Sequence, residues 1–99
     1  MKLEFDWDQW NIQKNEAKHG ISRLDAESIF YDPRLAIFED VMHSNDKEKR
    51  WICYGASLNK KILMCAFTVR NKKIRIISCR SSSTKEKDIY ETIKRTRNN

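Results

Sequence analysis

The 99-residue sequence predicts a single α+β domain, a small antiparallel sheet flanked by two N-terminal helices and one C-terminal helix, in the order β-α-α-β-β-β-β-α. Three observations lead there. Between residues 35 and 80, apolar runs rich in Ile, Phe and Cys are separated by short polar turns, which is the pattern of a meander. The segments before and after that region carry helix caps and apolar residues at helical spacing. Hydrophobic residues make up 39% and charged residues 34%, with only two Gly and one Pro, so the chain is dense in regular structure rather than disordered.

In chain order, Leu3-Glu4-Phe5-Asp6-Trp7 alternates apolar and acidic residues, as a short half-buried strand does. Asp8 is placed to cap a mostly exposed helix over Gln9–His19, and Gly20 suits the left-handed position that ends it. Ser22 opens a second helix, with Asp25 three residues on in an imperfect capping box. Ala26, Ile29 and Phe30 form its core-facing stripe, and Asp32-Pro33 stops it. Leu35–Phe38 reads as a short strand, Glu39–Lys49 as a loop and Arg50–Leu58 as a strand.

Ile62–Arg80 reads as two strands joined by a type I′ turn at Asn71-Lys72. Val69 then opposes Ile74 and Phe67 opposes Ile76. Leu63, Cys65, Phe67, Val69, Ile74 and Ile76 fall on the core face. Met64, Ala66, Thr68, Arg70, Lys73, Arg75 and Ile77 fall on an outer face that is apolar at one end and basic at the other. Arg75 and Arg80 are five apart, so strict alternation puts them on opposite faces. Either a bulge intervenes, or the strand ends near Ser78 and Arg80 leaves the sheet; the helix entry at Ser81–Ser83 favours the second. Ser83 and Glu86 form a capping box for the last helix, whose apolar seam is Ile89, Tyr90 and Ile93.

Residues 1–48 hold six Lys/Arg against eleven Asp/Glu, net −5, and residues 49–99 hold fourteen against three, net +11. That polarity suits an anionic partner for the second half, and equally suits pairing between the halves. Cys53, Cys65 and Cys79 match no metal-ligand spacing and read as buried, unlinked thiols. The acidic pairs Asp6/Asp8 and Asp40/Asp46 read as solvated, so no metal site and no cofactor is expected. No apolar run approaches a membrane span and no leader pattern opens the chain, so the expected location is the cytoplasm.

Several short motifs, in order, carry a resemblance. They are Phe5-x-Trp7-Asp8, Asn15 with Lys18-His19-Gly20, Ala26 and Phe30 with Asp32-Pro33, Asp40 with His43-Ser44, Glu48-x-Arg50, Gly55, Arg75-Ile76-Ile77-Ser78-x-Arg80, and Glu86 with Tyr90. Over about Phe5 to Tyr90 the sequence resembles the BrnT toxins, ribonuclease toxins of bacterial type II toxin–antitoxin systems. It departs from their pattern in having Ser83 where Thr is usual and Ser81-Ser82 where Arg-Ala is frequent, which removes one basic residue. The resemblance implies a RelE-like fold, mRNA cleavage that arrests translation, and a cognate BrnA-like antitoxin in a hetero-oligomer that binds operator DNA.

Metal-free RNA cleavage needs a base for the 2′-OH, cations for the charge on the phosphorane, and an acid for the leaving 5′-oxygen. Lys18, His19, Glu48, Arg50, Arg75 and Arg80 are the catalytic candidates, and Arg70, Lys73, Thr68 and Tyr90 the RNA-binding ones. Each has a plainer reading. His19 can bond the last carbonyls of its helix, Glu48 can pair with Arg50, Tyr90 can be core, and His43 can be a solvated loop residue. The alternative functions are a nucleic-acid-binding module without catalysis and a protein-interaction subunit, with Trp10, Trp51 and Tyr31 as contact candidates.

Overall fold

A computed structural model describes residues 2–97, except the side chains of Trp10 and Arg97. Strand β1 (Phe5–Asp6) is followed by helix α1 (Gln9–His19) and helix α2 (Arg23–Ser28), the latter running on as a 3-10 turn over Ile29–Tyr31. Strands β2 (Ala36–Glu39), β3 (Trp51–Ala56), β4 (Ile62–Arg70) and β5 (Lys73–Ser81) precede helix α3 (Thr84–Arg97). A further 3-10 turn, Val41–His43, interrupts the polar loop between β2 and β3. The five strands form one sheet in the order β1-β5-β4-β3-β2, antiparallel except that β1 runs parallel to β5.

Local chemistry accounts for most of these boundaries. Gly20 sits at φ +66° and its N–H closes α1 on the Glu16 carbonyl. Ser22 Oγ accepts from the Asp25 N–H and caps α2. At α3 both arms of the capping box form: Glu86 N–H donates to Ser83 Oγ, and Ser83 N–H donates to Glu86 Oε1. Asn71 and Lys72 both have positive φ, 51° and 64°, as a type I′ turn requires, and the pairs Val69–Ile74 and Phe67–Ile76 form as predicted.

The end of β5 differs from the sequence expectation. The strand does not stop near Ser78 but continues to Ser81, with Arg80 opposite Met64. The register instead shifts between Ala66 and Phe67. Ser78 pairs with Ala66 and Ile76 with Phe67, which leaves Ile77 as one extra residue. That bulge rephases the strand, so Ile76 and Cys79 both face the core and Arg75 and Arg80 share the outer face.

The core joins Ile21, Ala26 and Ile29 to Cys53, Leu63, Cys65, Phe67, Ile76 and Cys79, with Phe30 packed edge-on between Phe5 and Phe67. Val69, expected in this core, is 54% exposed, because the hairpin end projects past the helices that cover the rest of the face. Cys65 and Cys79 stand opposite each other and are joined as a disulfide, so of the three expected unlinked thiols only Cys53 remains free. Burial pushes the Cys53 thiol up to about 12.

Two polar or backbone devices fix the outer layers. Asp32 Oδ2 accepts from the Tyr90 hydroxyl at 2.6 Å and the Ala56 N–H at 2.9 Å, which ties α3 to the end of β3. Burial alone would raise the Asp32 carboxyl, but the hydrogen bonds from Ala56, Tyr90 and Arg34 outweigh it and hold the group below its ordinary value. Gly55 lets β3 approach the 3-10 turn after α2. A Cβ there would lie 2.8 Å from Leu35 Cδ1 and 3.0 Å from the fully buried Ile29 Cβ. Gly55→Ala is therefore expected to lower unfolding stability by roughly 1–3 kcal/mol, the usual cost of overpacking, measurable by urea denaturation.

Candidate functional site

The outer face of β3, β4 and β5 is the floor of the site. The bulge places Ile77 and Ser78 at its middle, where they belong to two adjoining clefts of about 280 Å³ each. The first is walled by α1 through Asn11, Lys14, Asn15, Lys18 and His19, with Arg80 beyond. The second is walled by Asp40, His43 and Arg50 over Ile52, Met64 and Ala66.

Helix α1 presents Asn11, Lys14, Asn15 and Lys18 on one side because they recur at intervals of three and four. It is anchored where the bulge has just ended. Asn15 Oδ1 accepts the Cys79 N–H at 2.8 Å, replacing a strand partner that β1 is too short to supply. The Asn15 Nδ2 is buried with no hydrogen-bond partner among the described residues. Lys14 and Lys18 have no acidic partner, and the His19 ring makes no hydrogen bond, among those residues. His19 is thus not engaged with the carbonyls at the end of its helix, the plainer role considered for it.

On the opposite wall, the Ser44 hydroxyl accepts from the Arg50 N–H at 2.9 Å and donates to the Asp40 carbonyl at 2.7 Å. It stands in for one ladder bond at the base of the loop. Asp40 Oδ2 holds the His43 Nδ1 at 2.8 Å.

The structure separates the remaining candidates. Arg80 lines the first cleft and is gripped by both carboxylate oxygens of Glu86 at 2.8 and 2.9 Å. Arg50 lines the second cleft and donates to Glu48 at 3.2 Å. Glu48 lines neither cleft. Hydrogen bonds from Arg70 and then Arg50 hold its carboxyl below the ordinary value. Arg75 is drawn to β1, with Asp6 at 3.1 Å and Asp8 at 3.7 Å, so those acids are engaged rather than solvated. Lys73 is exposed at the hairpin end, beside the Arg70–Glu48 pair.

Two of the expected RNA contacts are buried and hydrogen-bonded within the fold. Thr68 is 2% exposed and donates to the Lys49 carbonyl, and Tyr90 is 2% exposed and donates to Asp32. Burial, then the Asp32 bond, pushes the Tyr90 phenol well above its usual value. Both side chains serve the fold. Of the expected partner contacts, Trp51 packs against the core, Tyr31 is exposed, and the Trp10 side chain lies outside the described residues. Asn11, Lys14 and Asn15, which sequence reading did not list as site candidates, also line the first cleft. Their signal was the recurrence of polar residues at intervals of three and four along α1.

Among the described residues no group of three or more His, Cys, Asp or Glu is placed to hold a metal ion, and no helix is long and apolar enough to cross a membrane. The fold and the site define a small α+β protein with a basic cleft on the outer face of its sheet. Residues 7–86 match the family described as "Ribonuclease toxin, BrnT, of type II toxin-antitoxin system", and the chain belongs to that family. A crystal structure of the Brucella abortus ribonuclease toxin BrnT is similar in fold, with a TM-score of 0.61 and 23% identity, covering 84% of this chain and all of that one. A comparison with curated protein sequences finds no match.

The Glu86 carboxyl is held below 4.5, mainly by the Arg80 hydrogen bonds and further by Ser83, against the opposing effect of burial. A depressed carboxyl contributes stability that is complete above its unfolded value and lost as pH falls through the folded one. Glu86→Gln should therefore cost roughly 1–2 kcal/mol near neutrality, discounting for the exposure of Arg80, and progressively less below pH 4.5. Urea midpoints of both proteins across pH 3–7, a range of about four units around that value, check the convergence.

Proposed function

We propose that this chain is the toxin of a type II toxin–antitoxin system, a metal-independent endoribonuclease of the cytoplasm that cleaves mRNA and arrests translation. A BrnA-like antitoxin neutralises it, in a hetero-oligomer that binds operator DNA. Family membership supports the ribonuclease and the antitoxin. One observation carries the location of the chemistry. The first cleft is lined by Lys14, Lys18, His19 and Arg80, with no acid among its lining residues.

Such a cleft attracts a phosphodiester and resists the approach of a cation. In the reaction the 2′-oxygen attacks the neighbouring phosphorus while its proton passes to a base. The bond from phosphorus to the 5′-oxygen then breaks as that oxygen takes a proton from an acid. His19 and Lys18, adjacent in sequence and both on the cleft wall, are the pair suited to those transfers. Arg80, whose guanidinium is oriented by Glu86, and Lys14 are suited to the charge on the phosphorane. Asn15 Nδ2, buried behind the same wall and without a hydrogen-bond partner among the described residues, is suited to act as a neutral donor. Ile77, Met64 and Ala66 give bases an apolar floor on the way to Arg50 and His43. Arg70 and Lys73 at the hairpin end and Arg75 at the β1 side lie outside both clefts and are suited to outlying phosphates at most.

His19→Ala and Lys18→Ala should each slow cleavage of a single-stranded RNA by about 10²-fold or more, while Lys85→Ala on α3 should not. Gel-resolved cleavage by the antitoxin-free protein measures this, with circular dichroism to show that each variant is folded. The same assay should be insensitive to EDTA. A cut that needs Mg²⁺, or a His19→Ala variant of undiminished rate, would contradict the mechanism.

A further inference from the structure

The two edges of the sheet are treated differently. On one side β1 pairs with Ile74 and Arg75, and Asn15 takes the Cys79 N–H. On the other side β2 pairs, among the described residues, only with β3. The Asp40 N–H bonds the Arg50 carbonyl, so by alternation Phe38–Ile52 and Ala36–Tyr54 are the hydrogen-bonded pairs. The N–H and C=O of Ile37 and Glu39 therefore point out of the sheet.

Edge strands of proteins that work alone are commonly blunted by Lys, Pro, a bulge or a covering element. The segment Ala36-Ile37-Phe38-Glu39 has none of these. Ile37 is 49% and Phe38 39% exposed, and just beyond them Val41 and Met42 are 73% and 91% exposed. Glu39 is exposed and forms no ion pair among the described residues.

We infer that β2 is the docking edge for the antitoxin, which adds one extended, partly apolar segment as a sixth strand with a Lys or Arg opposite Glu39. The inference rests on the toxin reading above. Charge argues for this occupant over a second copy. In any antiparallel register that matches the outward groups, Glu39 meets Leu35, Ile37, Glu39 or Val41 of the copy, none of them a cation. A heterologous strand can answer that charge and cover Val41 and Met42 as well. Its chain then passes Asp40 and His43, the wall of the second cleft, which places the inhibitor on the rim of the site.

The test uses the full chain, co-expressed and purified with the small protein encoded beside its gene. Two variants probe the edge. Ile37→Pro deletes an N–H that β3 does not use, and Met42→Asp changes a side chain in solvent, where misfolding is not a concern. Each should weaken the complex at least 10-fold by calorimetry, with cleavage by the free protein unchanged within two-fold. Val69→Asp, apolar and exposed at the far hairpin, should bind as wild type. Hydrogen exchange at the Ile37 and Glu39 amides should slow at least 10-fold in the complex. A complex that forms without that protection and tolerates both variants overturns the inference. So does failure of the neighbouring protein to bind a chain that cleaves RNA. A free chain that sediments as a dimer with those amides already protected assigns the edge to a second copy and also overturns it. If the chain cuts no RNA yet its complex depends on Ile37 and Met42, the ribonuclease reading fails and the docking edge stands.

Discussion

One inserted residue governs the working face of this protein. Without Ile77 as an extra residue, β5 would turn Ser78 and Arg80 toward Cys65 and Leu63 and Cys79 toward solvent. A guanidinium in that core would have no acid to meet and would carry a heavy desolvation penalty. With the bulge, Ile76 and Cys79 complete the core. Arg75 and Arg80 rise on the outer face, and Ile77 and Ser78 form the ridge shared by the two clefts. The bulge also leaves the Cys79 N–H without a strand partner, and Asn15 supplies one. Helix α1, with Lys14, Lys18 and His19, is held against the site through that bond.

The second organising effect is electrostatic sorting. The uneven charge of the two halves admits an anionic partner or internal pairing, and the structure shows internal pairing. Asp6 and Asp8 take Arg75, Glu48 takes Arg70 and Arg50, and Glu86 takes Arg80. Exposed pairs of this kind stabilise little, but they fix where guanidiniums point. Among the described residues the lysines of α1 receive no such partner. The first cleft thereby keeps Lys14 and Lys18 beside the Glu86-bound Arg80.

The small sheet gains stability from devices that its short strands cannot supply. Asp32 joins α3, the end of β3 and the turn at Arg34 in one hydrogen-bonded cluster. Gly55 permits the close approach of β3 to Ile29. Cys53, Cys65 and Cys79 lie side by side across three strands as small buried groups, two of them bonded. With these features closing the helix side and the α1 edge, β2 is the edge left open among the described residues, next to the loop that walls the second cleft.

Signals a few residues long were legible in the sequence by itself. The Asn71-Lys72 turn and its register, the Ser22 and Ser83 caps, the stop at Gly20 and the order of elements all follow from local backbone preferences. The linear motif that carries the family likeness is legible for the same reason. What only the tertiary structure decided are relations between distant residues. The Arg75–Asp6 pair spans 69 positions and the Asn15–Cys79 bond 64. A bulge is chosen by what the core will accept, and not by the residues that flank it. The sequence named Arg80 and His19 as candidates, but that a bulged strand and an edge-bound helix bring both to line one cleft is a property of packing, which no local spacing encodes.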